Sequence, residues 1–90
     1  MEFRVERVAV LSSRHLTRET WDSGCGNFEI GAATFGSEYG FFCRVQPPDE
    51  VPLAPDDLRL VLAFFVRHRI EWIRFDEAAP LVRELRVYAD

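Results

Sequence analysis

One amphipathic segment constrains this chain more than any other. Between residues 56 and 67, apolar side chains recur at the spacing of a helix, at positions Leu58, Val61, Leu62, Phe65 and Val66. The segment follows the proline-rich residues 46–55 and opens on two carboxylates, which favour the positive end of a helix dipole. A chain of 90 residues has room for one core. We therefore expect this helix to form a large part of that core.

Apolar extended stretches on both sides of the helix predict a β-sheet. Residues 3–11 alternate apolar and charged side chains before a continuous apolar run. Residues 28–35 and 39–45 flank a Gly-Ser-Glu turn and predict an antiparallel hairpin. Residues 70–75 predict a fourth strand directly after the helix. Residues 85–88 fit either a short edge strand or the end of a second short helix.

A shorter helix is predicted after the first strand. Thr17 is its expected N-cap, and Gly24 and Gly26 are expected to end it. The resulting order, β-α-β-β-α-β, predicts an α+β fold of the split βαββαβ (ferredoxin-like) type. This fold is a two-layer sandwich with an antiparallel sheet and both helices on one face. We expect residues 1–90 to form this single domain.

The sequence lacks the residue patterns that identify a catalytic or metal site. All 11 basic residues are arginine, so a P-loop lysine is absent, and the glycines match no phosphate-binding motif. Cys25, Cys43, His15 and His68 do not form the close pairs of a zinc site, and the cysteine spacing does not indicate a disulfide. We therefore predict a protein that is not an enzyme and has no metal or cofactor. The charged start and the lack of a long apolar run predict a cytoplasmic chain without membrane contact.

The helix carries more apolar surface than one core requires. Leu60 and Phe64 lie outside the arc of the core positions, on the flank towards the polar face. Acidic residues cluster before and at the start of the helix, at Asp49, Glu50, Asp56 and Asp57, and the net charge is −4. We interpret the apolar flank with these acidic residues as a surface that binds a protein partner.

Two arrangements would cover Leu60 and Phe64. Either the C-terminal segment, residues 81–88, packs over them, or another chain does, and a homodimer through this helix is one form of the second. The choice stays open at the level of the sequence.

Two other functions have some support in the sequence. Residues 38–45, E-Y-G-F-F-C-R-V, partly match the RNP1 strand of the RNA-recognition motif, with Tyr39, Phe41 and Phe42 as stacking residues. The acidic net charge makes nucleic-acid binding the weaker hypothesis. A thiol enzyme that uses Cys25 is the third hypothesis, because this cysteine lies between two glycines and is expected to be exposed.

Four stretches carry a resemblance to known proteins: V-L-S-S-R-H-L-T, E-Y-G-F-F-C-R-V, I-E-W-I-R-F-D and L-R-V-Y-A-D. Together they resemble a family of small uncharacterised domains carried by plasmids and phages. The resemblance implies no catalytic residue. It implies a mobile-element setting, in which small acidic proteins inhibit host defence complexes as anti-CRISPR or antirestriction proteins do.

Overall fold

The computed structural model describes residues 2–24, 34–37 and 40–89. Strand β1 spans Val8–Ser12, helix α1 Arg18–Gly24, strand β2 Thr34–Ser37, strand β3 Gly40–Arg44, helix α2 Asp56–Arg67 and strand β4 Trp72–Asp76. Short 3-10 helices cover Ser13–His15 and Pro48–Glu50. The predicted α+β class is confirmed within this part of the chain.

The described strands form one mixed sheet in the order β1-β4-β3-β2. The β2–β3 pair is antiparallel, as predicted. Strand β4 lies between β1 and β3, and it pairs antiparallel with β3 and parallel with β1. The fully antiparallel split arrangement is therefore not observed, since it would place β1 between β3 and β4.

The reason lies in residues 45–71, which connect β3 to β4. The register pairs Arg44 at the end of β3 with Trp72 at the start of β4, so the connection leaves and returns at one end of the sheet. The proline-rich stretch is more than a linker, because Val51 and Ala54 within it are buried in the core. This stretch and α2 together bring the chain back to the strand that it left, which makes β3 and β4 antiparallel neighbours.

Several strand limits differ from the prediction. Residues 2–7 precede β1, and the side chains of Phe3 and Val5 are 81% and 75% exposed. The alternation in residues 3–7 is real, but β4 starts at Trp72 and offers these residues no partner strand. Strand β2 runs through Gly36 and Ser37, which were predicted to be in the turn. Residues 28–33 of the predicted hairpin and Gly26 lie outside the described residues.

The core lies on one face of the sheet. Strands β1, β3 and β4 contribute Leu11, Cys43, Ile73 and Phe75, and α2 contributes Leu58, Val61, Leu62 and Phe65. Trp21 of α1 packs against the same cluster. Both helices therefore cover this face, as predicted. The predicted core face of α2 is confirmed at Leu58, Val61, Leu62 and Phe65, whereas Val66 is half-buried and lines the outer face.

Helix α2 ends without glycine. His68 is the C-cap, and the next residue, Arg69, takes the left-handed conformation with φ of 56°. The Ile70 N–H donates to the Phe65 carbonyl and the Arg69 N–H to the Val66 carbonyl, which is the bonding pattern of a Schellman motif. Because Ile70 is apolar and packs against the core, burial offsets the cost of the left-handed arginine.

The C-terminal segment, residues 80–89, forms neither the strand nor the helix that the sequence left open. It is nevertheless attached to the domain. The Ser12 N–H donates to the Pro80 carbonyl at 3.0 Å, and the Tyr88 N–H donates to the Arg14 carbonyl at 2.9 Å. Val82 and Leu85 pack against the core.

Candidate functional site: the outer face of helix α2

A groove follows the outer face of α2. Its wall on one side is the C-terminal segment, and its lining residues are Pro48, Leu60, Ala63, Phe64, Val66, Arg67, Glu84, Leu85 and Arg86. The groove has a volume of about 740 Å³. A second depression continues it towards the start of α2 and adds Asp56 and Arg59 to the lining. Both sequence-predicted apolar residues therefore line one continuous concave surface.

The two apolar residues differ in exposure. Leu60 is 60% exposed. Phe64 is half-buried; its ring lies edge-on to Phe65, with centroids 5.0 Å apart, and next to His68, at 4.5 Å. Leu85 of the C-terminal segment lines the groove beside Phe64. The C-terminal segment thus covers part of the apolar flank and leaves Leu60 accessible.

Acidic residues lie at the end of the groove where α2 begins. Arg59 holds the 3-10 helix Pro48–Glu50 against α2, since its Nε and Nη2 both donate to the Pro48 carbonyl at 3.3 Å. Asp49, Glu50 and Asp56 are exposed. At the far end Arg67 and Arg86 line the groove. The concave surface therefore has an apolar floor and a charged rim, in which Asp56 and Arg59 lie at one end and Arg67, Glu84 and Arg86 at the other.

Asp57, the fourth predicted acidic contact, is not on this surface. It is only 8% exposed. Its Oδ2 accepts from the Thr17 backbone N–H at 2.8 Å, and its Oδ1 accepts from the Thr20 hydroxyl at 2.8 Å. The Thr17 hydroxyl in turn accepts from the Thr20 N–H, which confirms Thr17 as the N-cap of α1. Asp57 thus connects the starts of the two helices, and its assignment to a partner surface is wrong.

His15 is the residue that sequence reasoning missed. It is 1% exposed. The residues around it in the sequence show no apolar periodicity that would predict a core position. Its Nε2 accepts from the Val82 N–H at 2.8 Å, and its Nδ1 lies 2.9 Å from the Arg86 carbonyl. Since a carbonyl only accepts, Nδ1 must carry the proton. A neutral His15 therefore fastens the segment that forms the groove wall.

The thiol hypothesis has little geometric support. Cys43 is completely buried, and this burial raises the pKa of its thiol to about 12. Both ring nitrogens of His15 are bonded to the backbone, so this histidine is not a base for a thiol. Cys25 lies outside the described residues. Within the described part of the chain, no group of three or more His, Cys, Asp or Glu side chains is placed to hold a metal ion.

The nucleic-acid hypothesis concerns the opposite face of the sheet. Tyr39 lies outside the described residues. The register pairs Phe41 with Phe75, and the Phe75 side chain is buried in the core. Phe42 pairs with Arg74 and lies on the face away from the core. Two residues further along β3, Arg44 is paired with Trp72, and its guanidinium carbon lies over the Trp72 ring, 5.7 Å from the ring centroid. Trp72 and Arg44 were missed, although strand alternation in residues 70–75 contained the signal.

Together, the mixed sheet, the two helices on one face and the fastened C-terminal segment define a small α+β domain. A family model matches residues 8–90 and is described as the C-terminal domain of DUF5983, a family of unknown function. The chain belongs to this family. Neither the curated proteins nor the solved structures that were compared contain a match. The expected uncharacterised domain family is thereby confirmed, whereas its plasmid or phage setting stays a prediction.

The described residues contain no helix that is both long and apolar enough to cross a membrane.

Proposed function

We propose that this domain is a protein-binding module that docks its partner on the outer face of α2. The observation that carries the proposal is the apolar floor of the groove, Leu60 and Phe64, with Asp56 at its rim. Asp49 and Glu50 are exposed in the adjacent 3-10 helix, whose Pro48 lines the groove. Apolar contact supplies most of the affinity of such interfaces, and charges at the rim set specificity and association rate. The partner is expected to offer an apolar side chain with basic residues beside it.

A binding role fits the buried side chains better than a catalytic one. The buried ionisable side chains Asp57 and His15 have their polar atoms engaged within the fold, and the Cys43 thiol is in the core. Groups used in this way stabilise a structure and are not available to a substrate. The narrower proposal is an inhibitor of a host defence complex, of the anti-CRISPR or antirestriction type, and its support is the sequence resemblance.

The test compares the proteins that the wild type and two variants capture from a lysate of the native host. Leu60→Asp places a charge on the floor of the groove, and Leu81→Asp places the same charge on a residue that is 50% exposed outside it. A genuine partner is retained by the wild type and by Leu81→Asp and is lost with Leu60→Asp. Its retention is also expected to weaken with salt, because the charges at the rim are exposed. Equal capture by all three proteins would contradict the proposal.

A nucleic-acid binder is the second candidate, favoured by the aromatic and arginine pairs on the sheet face away from the core. Phe42 opposite Arg74 and Trp72 opposite Arg44 provide rings and cations on adjacent strands. Two facts weigh against it: Arg74 makes an ion pair with Asp76 at 3.1 Å, and the net charge is −4. Labelled single-stranded RNA that binds the wild type, but not Trp72→Ala, would establish this candidate instead.

A further inference from the structure

The outer edge of β1 carries backbone groups that no other described residue pairs with. The Trp72 N–H donates to the Arg7 carbonyl at 3.1 Å. This bond determines which residues of β1 direct their backbone groups towards β4, because the direction alternates along a strand. Ala9 and Leu11 therefore direct their N–H and C=O groups towards β4, whereas Val8 and Val10 direct theirs away from the sheet. Among the described residues, no group bonds to the backbone of Val8 or Val10. The free edge ends at Ser12, whose outward N–H donates to the Pro80 carbonyl.

The side chains along this edge favour pairing with another strand. Val8 and Val10 are 49% and 40% exposed and lie on the face away from the core. Natural edge strands are usually protected by proline, lysine, a bulge or an inward charge. The segment Val8–Leu11 contains no such residue, and β-branched side chains suit a sheet surface.

We infer that the β1 strands of two copies of this chain pair antiparallel about a twofold axis at Ala9. In this register Val8 of one copy lies opposite Val10 of the other. These residues exchange N–H···O=C bonds on both sides of the axis, so all four unpaired groups of each copy find partners. The four valines meet on one face, and the Ser12–Pro80 bond in each copy is preserved. The two sheets become one.

Charge does not oppose the pairing of two copies at this edge. Residues 2–7 next to the edge contain two glutamates and two arginines, so they add no net charge to the pair. The inference does not depend on the proposed function, because the groove and the β1 edge are formed by different residues.

Amide hydrogen exchange, measured by NMR at low and high protein concentration, gives the sharpest test. Ala9 and Leu11 amides are expected to be protected at both concentrations, since they bond to β4, and the Ser12 amide likewise, through Pro80. Val8 and Val10 amides are expected to exchange rapidly when dilute and to become protected when concentrated. An even response along β1, or rapid exchange of Val8 and Val10 at every concentration, would overturn the inference.

Sedimentation equilibrium of edge variants provides the second measurement. Val10→Pro removes an N–H that has no partner among the described residues of its own chain but donates across the axis, so two bonds per dimer are lost. The dimer dissociation constant is expected to rise about tenfold or more. Val10→Lys serves as a second edge variant, Val10→Thr retains the N–H, and circular dichroism checks that each folds. A wild type that is monomeric up to about 1 mM, or a dimer that Leu60→Lys disrupts and Val10→Pro does not, would overturn the inference.

Discussion

At the scale of single residues, two buried polar side chains hold separate parts of this domain together. Asp57 connects the starts of the two helices through Thr17 and Thr20, and His15 holds the backbone of Val82 and Arg86. A buried polar group without a hydrogen-bond partner is costly. The hydrogen bonds of Asp57 and His15 therefore explain why these polar side chains lie inside the domain. The sequence shows four acidic residues near α2, and only their partners reveal that one of them is internal.

The buried Cys43 thiol leads to a prediction about reactivity and pH. Burial raises its pKa to about 12, above the unfolded value of 9.0, so the folded state retains the proton when the unfolded state has lost it. The stability due to this group is present below pH 9 and is lost as the pH rises from about 9 towards 12. In a Cys25→Ser background, a thiol reagent at pH 8 is expected to label Cys43 only after unfolding. Cys43→Ala is expected to flatten the loss of stability above pH 9, and an unchanged slope would contradict this account.

At the scale of elements, local pattern and observed structure agree best for α2. The helix, Asp56–Arg67, contains all five apolar positions that recur at helical spacing, and four of them are buried; Val66 is the exception. The agreement is weaker for β1, because a strand needs a neighbour over its whole length and, among the described strands, none pairs with residues 3–6. The residue after the C-cap of α2, Arg69, is also in the left-handed conformation, a position where glycine is the usual residue.

The core face of α2 is tested by paired truncations. Phe65 is 6% exposed, and Phe65→Ala is expected to lower the free energy of unfolding by about 3–5 kcal/mol through lost burial and a residual cavity. Leu60 is 60% exposed, and Leu60→Ala is expected to change it by less than about 1 kcal/mol. Urea denaturation of both variants measures the difference. Equal effects would show that the helix face is assigned incorrectly.

At the scale of the whole molecule, the C-terminal segment completes the domain without regular secondary structure. Backbone bonds attach it to Ser12 and Arg14 near the end of β1, and its apolar residues Val82 and Leu85 pack against the core. The same segment forms one wall of the groove on α2. The proposed binding surface therefore depends on contacts between residues about 70 positions apart in sequence, such as His15 with Arg86.

His15→Ala tests this attachment. The substitution leaves the Val82 N–H and the Arg86 carbonyl without their partner and creates a cavity, so we expect a loss of about 2–4 kcal/mol in the free energy of unfolding. Faster exchange of the Val82 amide and easier proteolysis after residue 80 are expected with it. His68→Ala, at an exposed histidine, is the matched control and is expected to have little effect. If the Val82 amide stays protected in His15→Ala, other contacts hold the segment.

The sequence by itself determined the elements whose signal is local: α2 and its core face, the N-cap at Thr17, the β2–β3 hairpin pairing and the lack of catalytic motifs. The tertiary structure alone decided that β1 pairs in parallel with β4, that Val51 and Ala54 of the proline-rich stretch belong to the core and that Asp57 and His15 are internal. The physical reason is that periodicity and capping depend on neighbours within a few residues. Strand order and the partners of buried polar groups depend on residues tens of positions away, where many pairings are compatible with the same local pattern. The groove on α2 lies between these cases, since its floor is readable from helical spacing and its wall is formed only when the C-terminal segment docks.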